Sequence, residues 1–161
     1  MTLTIREGEP RDAGIIAELV RDLAAYEKLA HEATASAENF RTAIEHGHCR
    51  VLIAEWNGRP CGFALYFFNF STFLGRRGVY LEDLFVREEH RSKGVGRALL
   101  ARLARIAKEN ECGRLEWWVL DWNVRAIAFY RALGAAPMDE WTVFRLADDA
   151  LERLAGSEGG T

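Results

Sequence analysis

The sequence predicts a mixed α/β domain in which four helices pack on a central twisted sheet, and three observations point there. Two strand-length apolar runs, 49–56 and 60–70, are joined by Asn57-Gly58, the dipeptide that best suits a two-residue hairpin turn. A third run, VYLEDLFV at 79–86, leads through a charged loop with two glycines into a helical pattern, then into another apolar run at 114–120. That succession of strand, helix and strand implies a right-handed crossover and a parallel pair. The third observation is residues 11–30, where Ile15, Ile16, Leu19, Val20, Leu23 and Tyr26 recur every three or four positions and give one buried stripe.

Taken in order, residues 3–6 make a short alternating strand, and Pro10 stands where a helix accepts proline in its first turn. Ser36 is placed to cap a second helix that runs to His46, where Gly47 ends it. The hairpin 49–70 follows, so aromatic in its second half that Phe63, Phe67 and Phe70 are expected in the core. After the turn 71–78 and the strand 79–86, Val95, Leu99, Leu100, Leu103, Ile106 and Ala107 keep helical spacing, with arginine and lysine opposite. Asn123 caps a short helix ended by Gly134, residues 141–146 alternate as a last strand, and 148–161 fray into an acidic, glycine-rich tail.

With 161 residues, 49% hydrophobic and 28% charged, the chain suits one domain spanning 1–161 and excludes disorder. A net charge of −3 argues against a nucleic-acid partner, and no apolar run reaches membrane-spanning length. Cys49, Cys61 and Cys112 lack paired spacing, and His46 and His48 lack companions, so no metal site is expected. With no export signal, a cytoplasmic location is expected.

The chemistry concentrates in 79–100. Glu82 and Asp83 interrupt an apolar run, where an unpaired carboxylate is costly to bury. Arg91, Ser92, Lys93, Gly94, Val95, Gly96 and Arg97 gather positive charge and bare backbone N–H groups at a helix start, a place for an anion such as a pyrophosphate. A dinucleotide fingerprint fails because Leu99 stands where a small residue is required, and a P-loop fails because no Gly-Lys-Ser/Thr follows.

A strand with embedded carboxylates, the Arg91-x-x-Gly94-x-Gly96 turn, a helix, a strand, and then Asn-x-x-Ala-x-x-Phe-Tyr-x-x-x-Gly at 123–134 resembles the GNAT superfamily of acetyl-CoA-dependent N-acetyltransferases. The order matches across roughly 3–147. LVRDLAAYEKLA, GFALYFF, YLEDLFV, WNVRAIAFYRALGA and the late Trp141 are most similar to the diamine members, of the spermidine/spermine and thialysine type. The resemblance implies the GNAT acyl-CoA N-acyltransferase fold, with six to seven strands, about four helices and a sheet splayed near Leu84.

It implies roles as well. A protonated amine of pKa near 10.4 must lose a proton before it attacks, and Glu82 matches the base, acting through water with its pKa raised by burial among apolar neighbours. Backbone N–H groups of Leu84, Phe85 and Val86 match the donors to the oxyanion and to the pantetheine arm. Tyr130 matches the general acid for the departing thiolate, and Asn123 and Ala126 match cofactor contacts. Tyr26, Glu27, Glu82, Asp83 and Trp141 would line the amine site, with Phe73, Glu116 and Trp117 as weaker additions. Arg76 and Arg77 add charge that a polycation would not welcome, leaving short diamines, thialysine-like amino acids and other small amines open. A homodimer is expected. The other readings are a non-catalytic acyl-CoA sensor and a GNAT enzyme acting on a protein N-terminus or an antibiotic.

Overall fold

The computed structural model describes residues 1–159, which form two compact units, Met1–Trp118 and a smaller one that begins at Val119. The first holds a five-stranded sheet in sequence order: β1 (Leu3–Glu7), β2 (Arg50–Trp56), β3 (Arg59–Ser71), β4 (Arg76–Val86) and β5 (Leu115–Trp117). β1 to β4 are antiparallel neighbours, and β5 joins β4 in parallel. The helices α1 (Ala13–Tyr26) and α2 (Ala37–Glu45) lie between β1 and β2, and α3 (Val95–Glu109) makes the crossover from β4 to β5.

Both faces of the sheet are covered, so residues 51–54 of β2 and 61–66 of β3 are buried without interruption. On one face Ile16, Leu19 and Leu23 of α1 pack against Val51, Ile53, Phe63, Leu65 and Phe85. The alternate residues, Leu52, Ala54, Ala64, Tyr66, Val79 and Leu81, are buried on the other face, the side left for the Leu99 and Leu103 stripe of α3. The local signals act as expected: Ser36 and Asn39 form a capping box on α2, and Asn57 and Gly58 turn the hairpin with φ of 51° and 77°.

β4 carries one residue more than β3 can pair. Leu81 lies opposite Tyr66 and Asp83 opposite Leu65, which leaves Glu82 as the extra residue of a β-bulge. β5 pairs with Val79, Tyr80 and Leu81 and no further. A bulge bends its strand and increases its twist, so β5 cannot follow β4 past this point. The strand expected over 114–120 is therefore only three residues long, and the sheet opens at Leu81, three residues before Leu84.

The second unit departs further from expectation. It contains α4 (Val124–Ala132), capped by Asn123 as expected, and α5 (Asp148–Ala155) where a frayed tail was expected. Gly160 and Thr161 of that tail lie outside the described residues. Residues 141–146 form no strand, which makes the sheet five-stranded rather than six- or seven-stranded. Alternation there puts Trp141, Val143 and Arg145 on one side and Thr142, Phe144 and Leu146 on the other, so neither side is wholly apolar and there is no single face to bury.

Close approach of β3 and β4 makes Gly62 irreplaceable, because a Cβ there would stand 2.6 Å from the carbonyl oxygen of Phe85. Gly62→Ala is expected to destabilise the fold by about 1–3 kcal/mol in chemical denaturation. An unchanged midpoint would show that the two strands separate freely at this point.

Candidate active site

Beyond Leu81 the outer edge of β4 has no strand beside it among the described residues. Leu84, Phe85 and Val86 thus form a short open edge whose backbone groups suit an extended polar arm, as a peptide suits an exposed strand. The loop that follows is fastened in place. Arg87 ion-pairs with Glu18 and Asp22 of α1 and donates to the carbonyl of Pro60, while its own N–H donates to Cys61 O at 2.8 Å. A 3-10 turn, Glu88–His90, then leads to Arg91, whose Nε donates to Val86 O at 2.9 Å.

Arg91 also lies 4.3 Å from the Tyr26 ring centroid and 5.6 Å from that of Phe85, stapling the end of α1 to the end of β4. Ser92 and Gly94 take left-handed φ of 61° and 82°, and Gly94 serves as the N-cap of α3. No atom lies within 4 Å of where a Cβ of Gly94 would be, so glycine is needed there for its φ and not for space. The α3 ladder opens with Ala98 N to Gly94 O at 3.0 Å, so the N–H groups of Val95, Gly96 and Arg97 stand ahead of it. No acidic side chain occupies the first turn of α3, and Lys93 stands 5.2 Å over the Trp56 ring. This end of α3 is electropositive and suits a phosphate-bearing ligand. Open strand edge and bare helix end together fit the pantetheine and pyrophosphate of acetyl-CoA.

The carboxylates lie beside the open edge. Glu82, expected to be buried, is exposed, because it is the bulge residue that the β3 register skips. Asp83 is half-buried instead. Burial, followed by the charges of Glu82 and Glu27, pushes its carboxyl up to about 7, and every neighbour acting on it is negative. Burial also raises Glu27 at the end of α1.

Tyr80 belongs here too, although nothing in the sequence singles it out. Its hydroxyl is pushed up to about 12, first by burial and then by Glu82, Asp83 and Glu116. Its ring lies 5.1 Å from Phe67 and, edge on, 6.1 Å from Trp118. Strict alternation would put Tyr80 and Asp83 on opposite faces. The bulge reverses this: Tyr80 pairs with Phe67, Asp83 with Leu65 and Phe85 with Phe63, all on the α1 face. Glu116 and Trp117 pair with Tyr80 and Leu81.

Phe73, Arg76 and Arg77 are not part of this cluster. Phe73 lies in the turn at the other end of β4, 91% exposed, and Arg76 is about 20 Å along the strand from Asp83. Arg77 lies 4.7 Å over Phe68, on the opposite face of the sheet. In the second unit α4 carries Tyr130, with Phe129 at 5.6 Å, and Asn123 accepts from Ala126 N at 3.3 Å as its cap. Trp141 lies in the non-helical segment before α5 and is 70% exposed.

A splayed sheet beside an electropositive helix start defines an acyl-CoA-dependent transferase. The chain belongs to the GNAT acetyltransferase family, whose profile matches residues 16–135, and it is an acetyltransferase that uses acetyl-CoA as cosubstrate. It is 39% identical to thialysine N-epsilon-acetyltransferase of Bos taurus over 94% of this chain and 96% of that one. It is 47% identical to L-ornithine N5-acetyltransferase of Arabidopsis thaliana over 58% of this chain and 41% of that one. Among solved structures, an integron cassette protein from the mobile metagenome of V. cholerae superposes with a TM-score of 0.81 at 27% identity, covering 96% and 98% of the two chains.

The folded-state value of Asp83, about 7, lies above the ordinary 3.8 of the unfolded chain, so its share of stability is full below 3.8 and lost as pH rises through 7. Asp83→Asn is therefore expected to stabilise the protein by on the order of 2 kcal/mol at pH 8, a gain that vanishes near pH 4. Thermal melts of both proteins across this range check it; a variant less stable than wild type at pH 8 contradicts it.

Proposed function

We propose that the protein acetylates the primary amine of a small cationic acceptor, with an amino-acid side-chain amine of the thialysine or ornithine kind favoured over a long polyamine. The observation that carries this reading is the group of carboxylates and aromatic rings at the β4 bulge, Glu27, Glu82, Asp83, Tyr80 and Phe67, which suits an alkyl ammonium by charge and by cation–π contact. The names of the relatives support it. Arg76 and Arg77, lying far from the carboxylates, no longer argue against a second positive charge on the acceptor.

Acetyl-CoA, when bound, supplies the thioester whose acetyl carbon bonds to the amine nitrogen as the C–S bond breaks. Residues 84–86 hold the pantetheine arm and place backbone N–H groups at the carbonyl oxygen, where negative charge develops. Arg91, Ser92, Lys93, Gly94, Val95, Gly96 and Arg97 hold the phosphates, with Asn123 and Ala126 as further contacts. Tyr26, Glu27, Glu82, Asp83 and Trp141 receive the amine. A carboxylate at the bulge, Glu82 in the family resemblance, takes the ammonium proton, and Tyr130 returns one to the sulfur. The ammonium loses two protons in all; one ends on the thiol and the other leaves to solvent.

A homodimer in the cytoplasm belongs to the same reading. Val143, Phe144 and Leu146, on either side of Arg145, are 56%, 92% and 48% exposed, apolar surface that a second copy would cover. No helix among the described residues is long and apolar enough to cross a membrane.

Thiol release from acetyl-CoA is the direct test, with thialysine, ornithine, lysine, short diamines, spermidine and a peptide as acceptors. Thialysine or ornithine is expected to give the highest kcat/KM, and Tyr130→Phe to lower kcat at least tenfold with little change in acetyl-CoA affinity. No turnover with any amine, while acetyl-CoA still binds, would overturn the reading.

A further inference from the structure

The α1 face of the sheet continues past the bulge toward the β3–β4 turn. Phe67 and Tyr80 form one pair on it, and two residues further Asn69 pairs with Gly78 on the same face. On β5 Glu116 lies beside Tyr80, and Arg114, two residues earlier, lies beside Gly78, its carbonyl accepting from Val79 N at 2.9 Å. The core under α1 takes only Phe63, Leu65 and Phe85 from β3 and β4. The face beyond is left to a cleft lined in part by Asn69, Gly78, Arg114 and Glu116. Gly78 gives it room: a Cβ there would stand 2.5 Å from Asn69 Oδ1 and 3.4 Å from the carbonyl oxygen of Arg114, so only glycine lets the Asn69 amide lie across β4 toward β5.

Arg114 and Glu116 are opposite charges on one side of β5, yet among the described residues they form no ion pair, and the Asn69 amide makes no hydrogen bond. The Glu116 charge acts instead on the Tyr80 hydroxyl, toward the bulge. Arg77 also lines the cleft, but its guanidinium lies over Phe68 on the opposite face of the sheet. A cation, an amide and a carboxylate therefore face one cleft without partners from the protein. An α-amino acid carries the complement on a single carbon: a carboxylate for the guanidinium fork and the amide N–H, and an ammonium for the glutamate.

We propose that Arg114, with the Asn69 amide, holds the α-carboxylate of an amino-acid acceptor and Glu116 its α-ammonium, so that this cleft selects an amino acid over the diamine of the same chain length. The assignment rests on the acetyltransferase reading above and deepens it. Asp83 pairs with Leu65 and Gly78 with Asn69, so the amine end of the site and the Arg114 end are about 13 Å apart along the sheet. Terminal nitrogen and carboxylate of an extended ornithine or thialysine are roughly 6–8 Å apart, which leaves a remainder that an arginine side chain spans. The acceptor chain then runs past Tyr80 and Phe67, with its reacting amine at the bulge. A diamine would satisfy Glu116 but leave Arg114 facing a second cation, and a site built around a polar group rejects the analogue that lacks it.

Matched acceptors test this on the intact protein, since ornithine and putrescine, or lysine and cadaverine, differ only by the carboxylate. Wild type is expected to favour the amino acid of each pair at least tenfold in kcat/KM, and ornithinamide to fall to the putrescine level. In Arg114→Gln the ornithine-to-putrescine ratio is expected to drop at least tenfold, through KM for ornithine and not kcat, because the carboxylate is remote from the reacting carbon. Arg114→Lys, which restores the charge without the fork, is expected to recover part of the ratio. Blocking the α-amine of ornithine with an acetyl group is expected to cost wild type at least tenfold and Glu116→Gln less than threefold. Acetyl-CoA affinity measured by calorimetry confirms that the variants are folded. Equal use of ornithine and putrescine by wild type overturns the assignment, as does an Arg114→Gln variant that loses both acceptors in equal proportion. Turnover with no amine at all removes the acetyltransferase reading, whereas turnover without discrimination removes this assignment alone.

Discussion

The site depends on one extra residue in β4. Because β3 pairs Leu81 and then Asp83, Glu82 is squeezed out of the ladder, and three consequences follow from that single insertion. β5 loses its partner after Trp117, which leaves 84–86 as an open edge. Tyr80 and Asp83 come to the same face, where alternation alone would separate them. Two adjacent carboxylates end in different surroundings, one solvated and one half-buried.

A bulge of this kind needs a stiff surround, and the two arginines after β4 provide it. Arg87 ties the strand end to Glu18 and Asp22 of α1, and Arg91 bonds back to Val86 O while covering Tyr26. Exposed ion pairs add little to stability, but here they fix the direction in which the chain leaves the sheet. The left-handed residues Ser92 and Gly94 then turn it into α3, so helix end and strand edge stand on one short, braced segment. Asp83 costs the fold stability at neutral pH, a cost that clusters where function is served.

Much of this was legible from residues alone. The Asn57-Gly58 hairpin, the Ser36 and Asn123 caps, the Gly94 turn and the helical stripe of α3 are local devices, whose physics lies within four or five residues of sequence. The bulge was not, because it is a mismatch between two strands and has no signature in either one. Reading Glu82 as buried followed from treating 79–86 as a regular strand. Tyr80 was missed for the same reason. Residues 141–146 alternate, yet with mixed faces, so pattern without a single apolar side overstated the strand. The α5 helix was hidden by its acidic composition and the glycines beyond it, although Leu151 and Leu154 are spaced for a helix.

Amide hydrogen exchange with and without acetyl-CoA tests most directly whether the opening in the sheet is the working part of the site. Protection is expected to rise over 84–86 and at Val95, Gly96 and Arg97, while residues 79–81, already paired to β5, stay unchanged. Acetyl-CoA that binds without protecting 84–86 would contradict the claim that the bulge opens this edge for the cosubstrate.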